Sequence, residues 1–186
     1  MRGRPQPRRA RRPAFWPGLL LCVFAAGGAF PQDRSLETAV KATYLYKLAP
    51  FVTWPAQAYP NSASPLVICV QGADPFGPML DRAVAGQSVD GRPVAVRRLA
   101  RIEVGSGCQI AYVGGSGEQP AAQALTAVAG APVLTVTDDA RGAGARGIVH
   151  FVLSGGAVRF AIDPSQAAAN HIGLSSKLLT LSIARR

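Results

Sequence analysis

At 186 residues, 48% of them apolar, the chain is long enough to bury one core and too short for two ordinary domains. Its formal charge of +10 is unevenly placed: Arg2, Arg4, Arg8, Arg9, Arg11 and Arg12 fall in the first dozen positions with no acid among them. Setting those six aside leaves 14 basic against 10 acidic side chains, a balance that gives no electrostatic reason to bind nucleic acid.

The arginine arm leads into an apolar run from Phe15 to Phe24, about the length of a signal h-region and short for a membrane span. Ala25, Ala26, Gly27, Gly28 and Ala29 follow, and Gly27 and Ala29 suit the small-residue preference of signal peptidase. Residues 1–29 therefore read as a cleavable secretory signal peptide cut after Ala29, with a retained anchor as the alternative. Residues 30–34 read as a linker and 35–186 as one domain working outside the cytoplasm. Cys22 leaves with the leader. Cys69 and Cys108 remain, an even number in an exported domain, and read either as a disulfide closing a loop of about 40 residues or as two buried thiols. Two cysteines and two distant histidines do not make a zinc site.

Ser35 is expected to open a helix with Leu36, Val40, Tyr44, Leu48 and Phe51 near one face, ended or bent at Pro50. Leu66 to Val70 is a continuous apolar run, as in a strand covered on both faces. It feeds Gly72-x-Asp74-Pro75-Phe76-Gly77, where aspartate before proline predicts a helix from Pro75 to about Ala85. Pro93–Leu99, Cys108–Val113 and Pro132–Thr137 read as further strands. Between the last two, Ser116 with Gln119 gives a capping-box start to an alanine-rich helix reaching about Ala129. Asp138–Gly147 reads as a loop. Ile148–Leu153 and Ala157–Ile162 alternate about Ser154-Gly155-Gly156 and predict a hairpin. Asp163-Pro164 repeats the cap signal, and Ser175–Ile183 predicts a last helix. The alternation argues an α/β three-layer sandwich: a mixed sheet of about five to six strands flanked by helices, with a C-terminal β-hairpin.

Few groups carry chemistry. Gly114-Gly115-Ser116-Gly117 joins a strand to a helix, but Pro120 stands where a dinucleotide loop needs glycine. It reads as a plain turn, with anion binding as the alternative. Asp74, at the carboxyl end of the first strand, reads as a helix cap that can also contact a polar ligand. A small-molecule sensor would place its pocket there, near Asp74 and Ser116. Asp138 and Asp139 read as solvated loop acids, and His150 and His171 as structural histidines. Ser175-Ser176-Lys177 has no desolvated lysine to act as a base. Arg92, Arg97, Arg98 and Arg101 cluster around the second strand. There they guard a sheet edge or, through Arg97 and Arg98, meet an acidic partner or phospholipid headgroups. No catalytic apparatus and no cofactor is expected.

Seven blocks in one order resemble the YfiR family: Val40–Pro55, Val67–Val70 with Gly72–Gly77, Gly91–Val94, Cys108–Val113, Pro132–Val136, Val158–Asp163 and Ile172–Leu179. The resemblance spans about residues 36–183. It implies a non-enzymatic periplasmic repressor that binds the periplasmic part of an inner-membrane diguanylate cyclase or similar receptor, keeping cyclic-di-GMP low and restraining biofilm formation. It further implies an outer-membrane lipoprotein as sequestering partner, homodimer formation, and a Cys69–Cys108 disulfide. Leu48 and Pro50 stand where many relatives carry aromatic or lysine residues, and the second disulfide of some relatives has no cysteines here.

Overall fold

The computed structural model describes residues 31–139 and 144–183. The cleavage point at Ala29, the apolar run before it and Cys22 lie outside the described residues, as do residues 140–143 of the glycine-rich segment.

Helix α1 (Pro31–Lys47) starts earlier than the expected Ser35, with proline at its first position, where no intrahelical N–H is needed. Its buried stripe also differs from the expected one. Ala42, Leu45, Leu48 and Ala49 are the residues sealed against the sheet, whereas Leu36 is 67% exposed and Val40 and Tyr44 are half-buried. Ala42 and Leu45 lie on α1 itself, and Leu48 and Ala49 continue the buried face just past its end. Tyr44 is left on the flank, its ring 6.1 Å from those of Phe151 and Phe160. A 3-10 turn at Ala49–Phe51 contains Pro50 and ends the helix as expected.

The chain then forms β1 (Val52–Thr53), β2 (Leu66–Gly72), α2 (Pro78–Val84), β3 (Ser88–Val89) and β4 (Arg92–Leu99). It continues as β5 (Ile110–Gly115), α3 (Ala121–Ala127), β6 (Leu134–Asp138), β7 (Val149–Ser154) and β8 (Ala157–Ile162). It closes with α4 (Pro164–Ala169), β9 (Gly173–Leu174) and α5 (Ser176–Leu181). The main sheet has the order β3-β4-β2-β5-β6-β7-β8, parallel from β4 to β7 and antiparallel at both edges. β1 and β9 form a separate antiparallel ribbon. The seventh strand of the main sheet, β3, escaped the sequence reading although its signal is there. Asp90-Gly91 joins it to β4 with φ of 49° and 76°, the two left-handed residues a tight hairpin turn requires.

Two cores make the three layers. The larger lies between the sheet and α1 with α2, and holds Ile68, Val70, Ile110, Tyr112, Leu134 and Val136 from the strands. The smaller lies on the opposite face, where Cys69, Ala111 and Val113 meet Ala121, Ala124 and Val128. β2 is thus covered on both faces, which is why its sequence shows no alternation.

Two expected helix caps are turns instead. Asp74 Oδ1 accepts the N–H groups of Phe76 (2.7 Å) and Gly77 (3.1 Å), but Gly77 then adopts φ 46° and the helix begins only at Pro78. Ser116 and Gln119 bond reciprocally, Gln119 N to Ser116 Oγ and Ser116 N to the Gln119 carbonyl, and the helix begins after Pro120. In each place a proline nearer the apolar run marks the start, Pro78 as the first helical residue and Pro120 as the residue before it. Asp163 does cap α4, accepting from Ser165 N and Gln166 N, and Ser175 caps α5 through Leu178 N.

Candidate functional site

In an open α/β sheet the ligand crevice lies at the carboxyl ends of neighbouring strands whose connections leave in opposite directions. Here those strands are β2 and β5, with α2 on one face and α3 on the other. The crevice is closed by backbone. Ala73 N donates to the Gly115 carbonyl at 2.9 Å. A Cβ on Gly72 would collide with the Gly115 carbonyl, and one on Gly114 with that of Ala73, so glycine serves here for close approach of two loops. Buried Gln71 seals the rest. Its Oε1 accepts from Gly115 N, and its Nε2 donates to the carbonyls of Ala100 and Gln119. Gln119 in turn brackets Ile102, accepting from its N–H and donating to its carbonyl. Ser116 is spent in its turn and does not meet Asp74 in a pocket.

Asp74 and Arg98 are brought together, but they occupy each other. Arg98 Nε donates to Asp74 Oδ2 (2.8 Å), and its two terminal nitrogens reach Asp81 (3.1 and 2.6 Å) and the Gly77 carbonyl (2.8 Å). The hydrogen bonds it donates to Asp81 and Asp74 raise the guanidinium above its ordinary value, and the Arg98 hydrogen bond holds the Asp81 carboxyl below the usual carboxylate range. Arg97 donates to the Ser106 carbonyl, Arg101 to that of Glu118, and Arg92 to those of Asn61 and Ser64 while lying 3.9 Å above the Tyr59 ring. β3 covers only Arg92 and Pro93, so Val94–Leu99 form a sheet edge, and the arginines there act as latches to neighbouring loops.

Cys69 of β2 and Cys108, just before β5, form a disulfide with Cα atoms 5.7 Å apart, closing the separation of 39 residues. The free-thiol alternative is thereby set aside.

The acids expected to be solvated are not alike. Asp138 ends β6 with its side chain 2% exposed, and its Oδ2 accepts from Lys41 Nζ at 3.0 Å. Lys41 also pairs with Glu37 at 2.6 Å. Burial works against the ammonium, but the hydrogen bonds to Glu37 and Asp138 outweigh it and raise Lys41 above its ordinary value. Asp138 Oδ1 is buried and has no hydrogen-bond partner among the described residues. Asp139 is exposed and lies 2.8 Å from His150 Nε2, while His150 Nδ1 lies 2.8 Å from Thr137 Oγ1. This chain of three has the composition of a nucleophile–base–orienter set. Thr137, however, is 2% exposed and its Oγ1 also takes the Gly147 N–H, so no substrate reaches it and the histidine is structural. His171 sits at φ 56° past the end of α4. Among the described residues no group of three or more His, Cys, Asp and Glu side chains is placed to hold a metal ion.

An open apolar groove was missed by the sequence reading. Leu36, exposed, and Val40 and Tyr44, half-buried, face Leu153, Ala157 and Val158 of the β7–β8 hairpin across a groove of about 670 Å³, with Arg34 and Glu37 on its rim. Leu153 is 57% exposed. β8 is the outer strand of the sheet. Ile183 bridges to Ala161 and donates to the Phe160 carbonyl, and among the described residues no strand pairs with the outer side of Ala157–Arg159. The signal was the i, i+4, i+8 spacing itself, read as a core face.

These features define the class: a three-layer α/β domain with a crevice closed by its own backbone and an open apolar groove. Within it, the chain belongs to the YfiR/HmsC-like family (DUF4154), which it matches over residues 38–183, bearing out the resemblance read from the sequence. Members of this family are regulators rather than enzymes. No curated protein matches the chain. No described helix is long and apolar enough to cross a membrane.

Proposed function

We propose that this protein is a periplasmic regulator that represses a membrane-anchored diguanylate cyclase by binding its periplasmic part, lowering cyclic-di-GMP and biofilm formation. The observation that carries this reading is the family match over residues 38–183. The mechanism is population shift. Binding must favour the inactive state of the cyclase, and only the difference in affinity between its two states counts; moving a 1:99 equilibrium to 99:1 needs a preference of about 10⁴-fold.

The contact face is the groove between α1 and the β7–β8 hairpin. It supports the reading because it joins an apolar floor (Leu36, Val40, Tyr44, Leu153, Val158) to a charged rim (Arg34, Glu37), the anatomy of a transient interface. The adjacent outer side of β8 can add an extended segment of the cyclase by strand pairing. An outer-membrane lipoprotein that takes up the repressor, or a homodimer built on the same face, would compete with the cyclase. Co-expression of the full chain with a membrane diguanylate cyclase of the same genome tests this, with cyclic-di-GMP measured and the periplasmic domain used in binding assays. The expected result is lowered cyclic-di-GMP, and loss of binding in Leu36→Asp and Leu153→Asp with the melting temperature unchanged. Unchanged cyclic-di-GMP with every such cyclase overturns the reading.

A further inference from the structure

Past β3 the main sheet has an open edge along β4. β3 accompanies β4 only as far as Val94, whose N–H donates to the Gln87 carbonyl at 3.1 Å. Successive residues of a paired strand turn their main-chain groups to opposite sides. The N–H and C=O of Val96 and Arg98 therefore point outward as those of Val94 do, while Ala95, Arg97 and Leu99 turn theirs to β2. Among the described residues the outward groups of Val96 and Arg98 make no hydrogen bond and meet no strand.

The charges along this row are not all cancelled. Arg98 is neutralised by Asp74 and Asp81. Arg97 and Arg101 are exposed and hold only carbonyls, those of Ser106 and Glu118, and neither forms an ion pair among the described residues. Such a latch fixes the direction of a guanidinium, leaves its charge uncancelled and keeps further N–H donors free.

Together the two observations select one occupant. A lipid headgroup or a nucleic-acid phosphate uses the guanidinium groups, whereas alternating N–H and C=O groups at strand spacing are matched by an extended polypeptide. A second copy paired along the same edge brings the Arg97 side chains of both protomers together, like charge against like. An acidic segment meets no such repulsion. Val94 and Val96 pack on the α2 side of the strand and Arg97 lies on the other, so an incoming strand that alternates apolar and acidic residues suits both faces.

We propose that the β4 edge binds an extended acidic segment of a partner protein as an added strand, with main-chain pairing at Val96 and Arg98 and carboxylates meeting Arg97 and Arg101. This edge lies at the far end of the sheet from β8, so the proposal goes beyond the cyclase reading and does not rest on it.

The probe is a capped peptide alternating valine with glutamate, titrated into the protein expressed from the full chain and followed by NMR and fluorescence anisotropy. Expected are saturable binding, amide shifts centred on Val96 and Arg98, and weakening at raised salt. Binding should be lost when the glutamates become lysines or when every peptide N–H is methylated. Arg97→Glu should weaken it about tenfold, since charge reversal exchanges an attraction for a repulsion. Val96→Pro removes one outward N–H without touching the pairing with β2 and should weaken binding by a similar factor. Arg97 is exposed, so its variant decides the matter even if Val96→Pro fails to fold. No saturable binding, binding unmoved by Arg97→Glu, or equal binding of the methylated peptide overturns the proposal. So does capture by phosphatidylglycerol vesicles without peptide binding, which would give the edge to a lipid surface. Neither cyclic-di-GMP nor the α1 groove enters the readout, so failure here leaves the cyclase reading standing, and the converse holds as well.

Discussion

Lys41 on α1 reaches across 97 residues of sequence to place its ammonium 3.0 Å from Asp138 at the end of β6. The pair fastens the helix to the carboxyl ends of the strands, with Glu37 as the third member. Lys41→Met leaves Asp138 buried beside an uncharged chain and should destabilise the protein by about 3 kcal/mol at neutral pH, as when one partner of a buried pair is removed. Because folding raises the lysine above its ordinary value, its contribution is fully present below about pH 10.4 and is lost as the pH climbs through the raised value. Urea unfolding of both proteins across the alkaline range should therefore show the gap closing as pH rises. A gap that stays constant would remove the ion pair from this account.

The closed crevice makes a second prediction. Gly114 lies against the Ala73 carbonyl, so Gly114→Ala should cost about 3 kcal/mol through backbone displacement at β2 and β5. Gly117, three positions on, is exposed with open space at its Cβ, and Gly117→Ala should fall within about 0.5 kcal/mol of the parent. Thermal melts of the two variants check this directly; equal effects would mean that the loops part readily and that the crevice is open to ligands.

The disulfide makes the third. Closing 39 residues restricts the unfolded chain by about 4 kcal/mol on the loop-entropy model, so the Cys69→Ser/Cys108→Ser double variant should lose that order of stability in denaturant. Both sulfurs sit in the smaller core beside Ala111 and Val113, apart from the α1 groove. Binding of the cyclase domain, measured well below the melting transition, should therefore survive the change.

Much of the architecture was readable locally. Leu66–Val70 and Ile110–Val113 are continuous apolar runs because both faces of the sheet are covered, and Asp163-Pro164 caps its helix where expected. Reading failed where two local signals competed. Asp74-Pro75 and Ser116 both look like helix starts, yet Pro78 and Pro120 lie closer to the apolar runs and win. The Asp90-Gly91 turn was present and overlooked.

By itself the sequence determined the kinds of element, their order, and the family the chain belongs to, since these depend on periodicity, turn chemistry and short blocks that neighbours in sequence specify. Only the tertiary structure decided which stripe of α1 is buried, that Asp138 meets Lys41, that Asp74 is spent on Arg98, and that Gly72 and Gly114 close the crevice. Each of these depends on groups far apart in the chain arriving at one place, and what they satisfy or leave unsatisfied there is fixed by packing rather than by the identity of either residue.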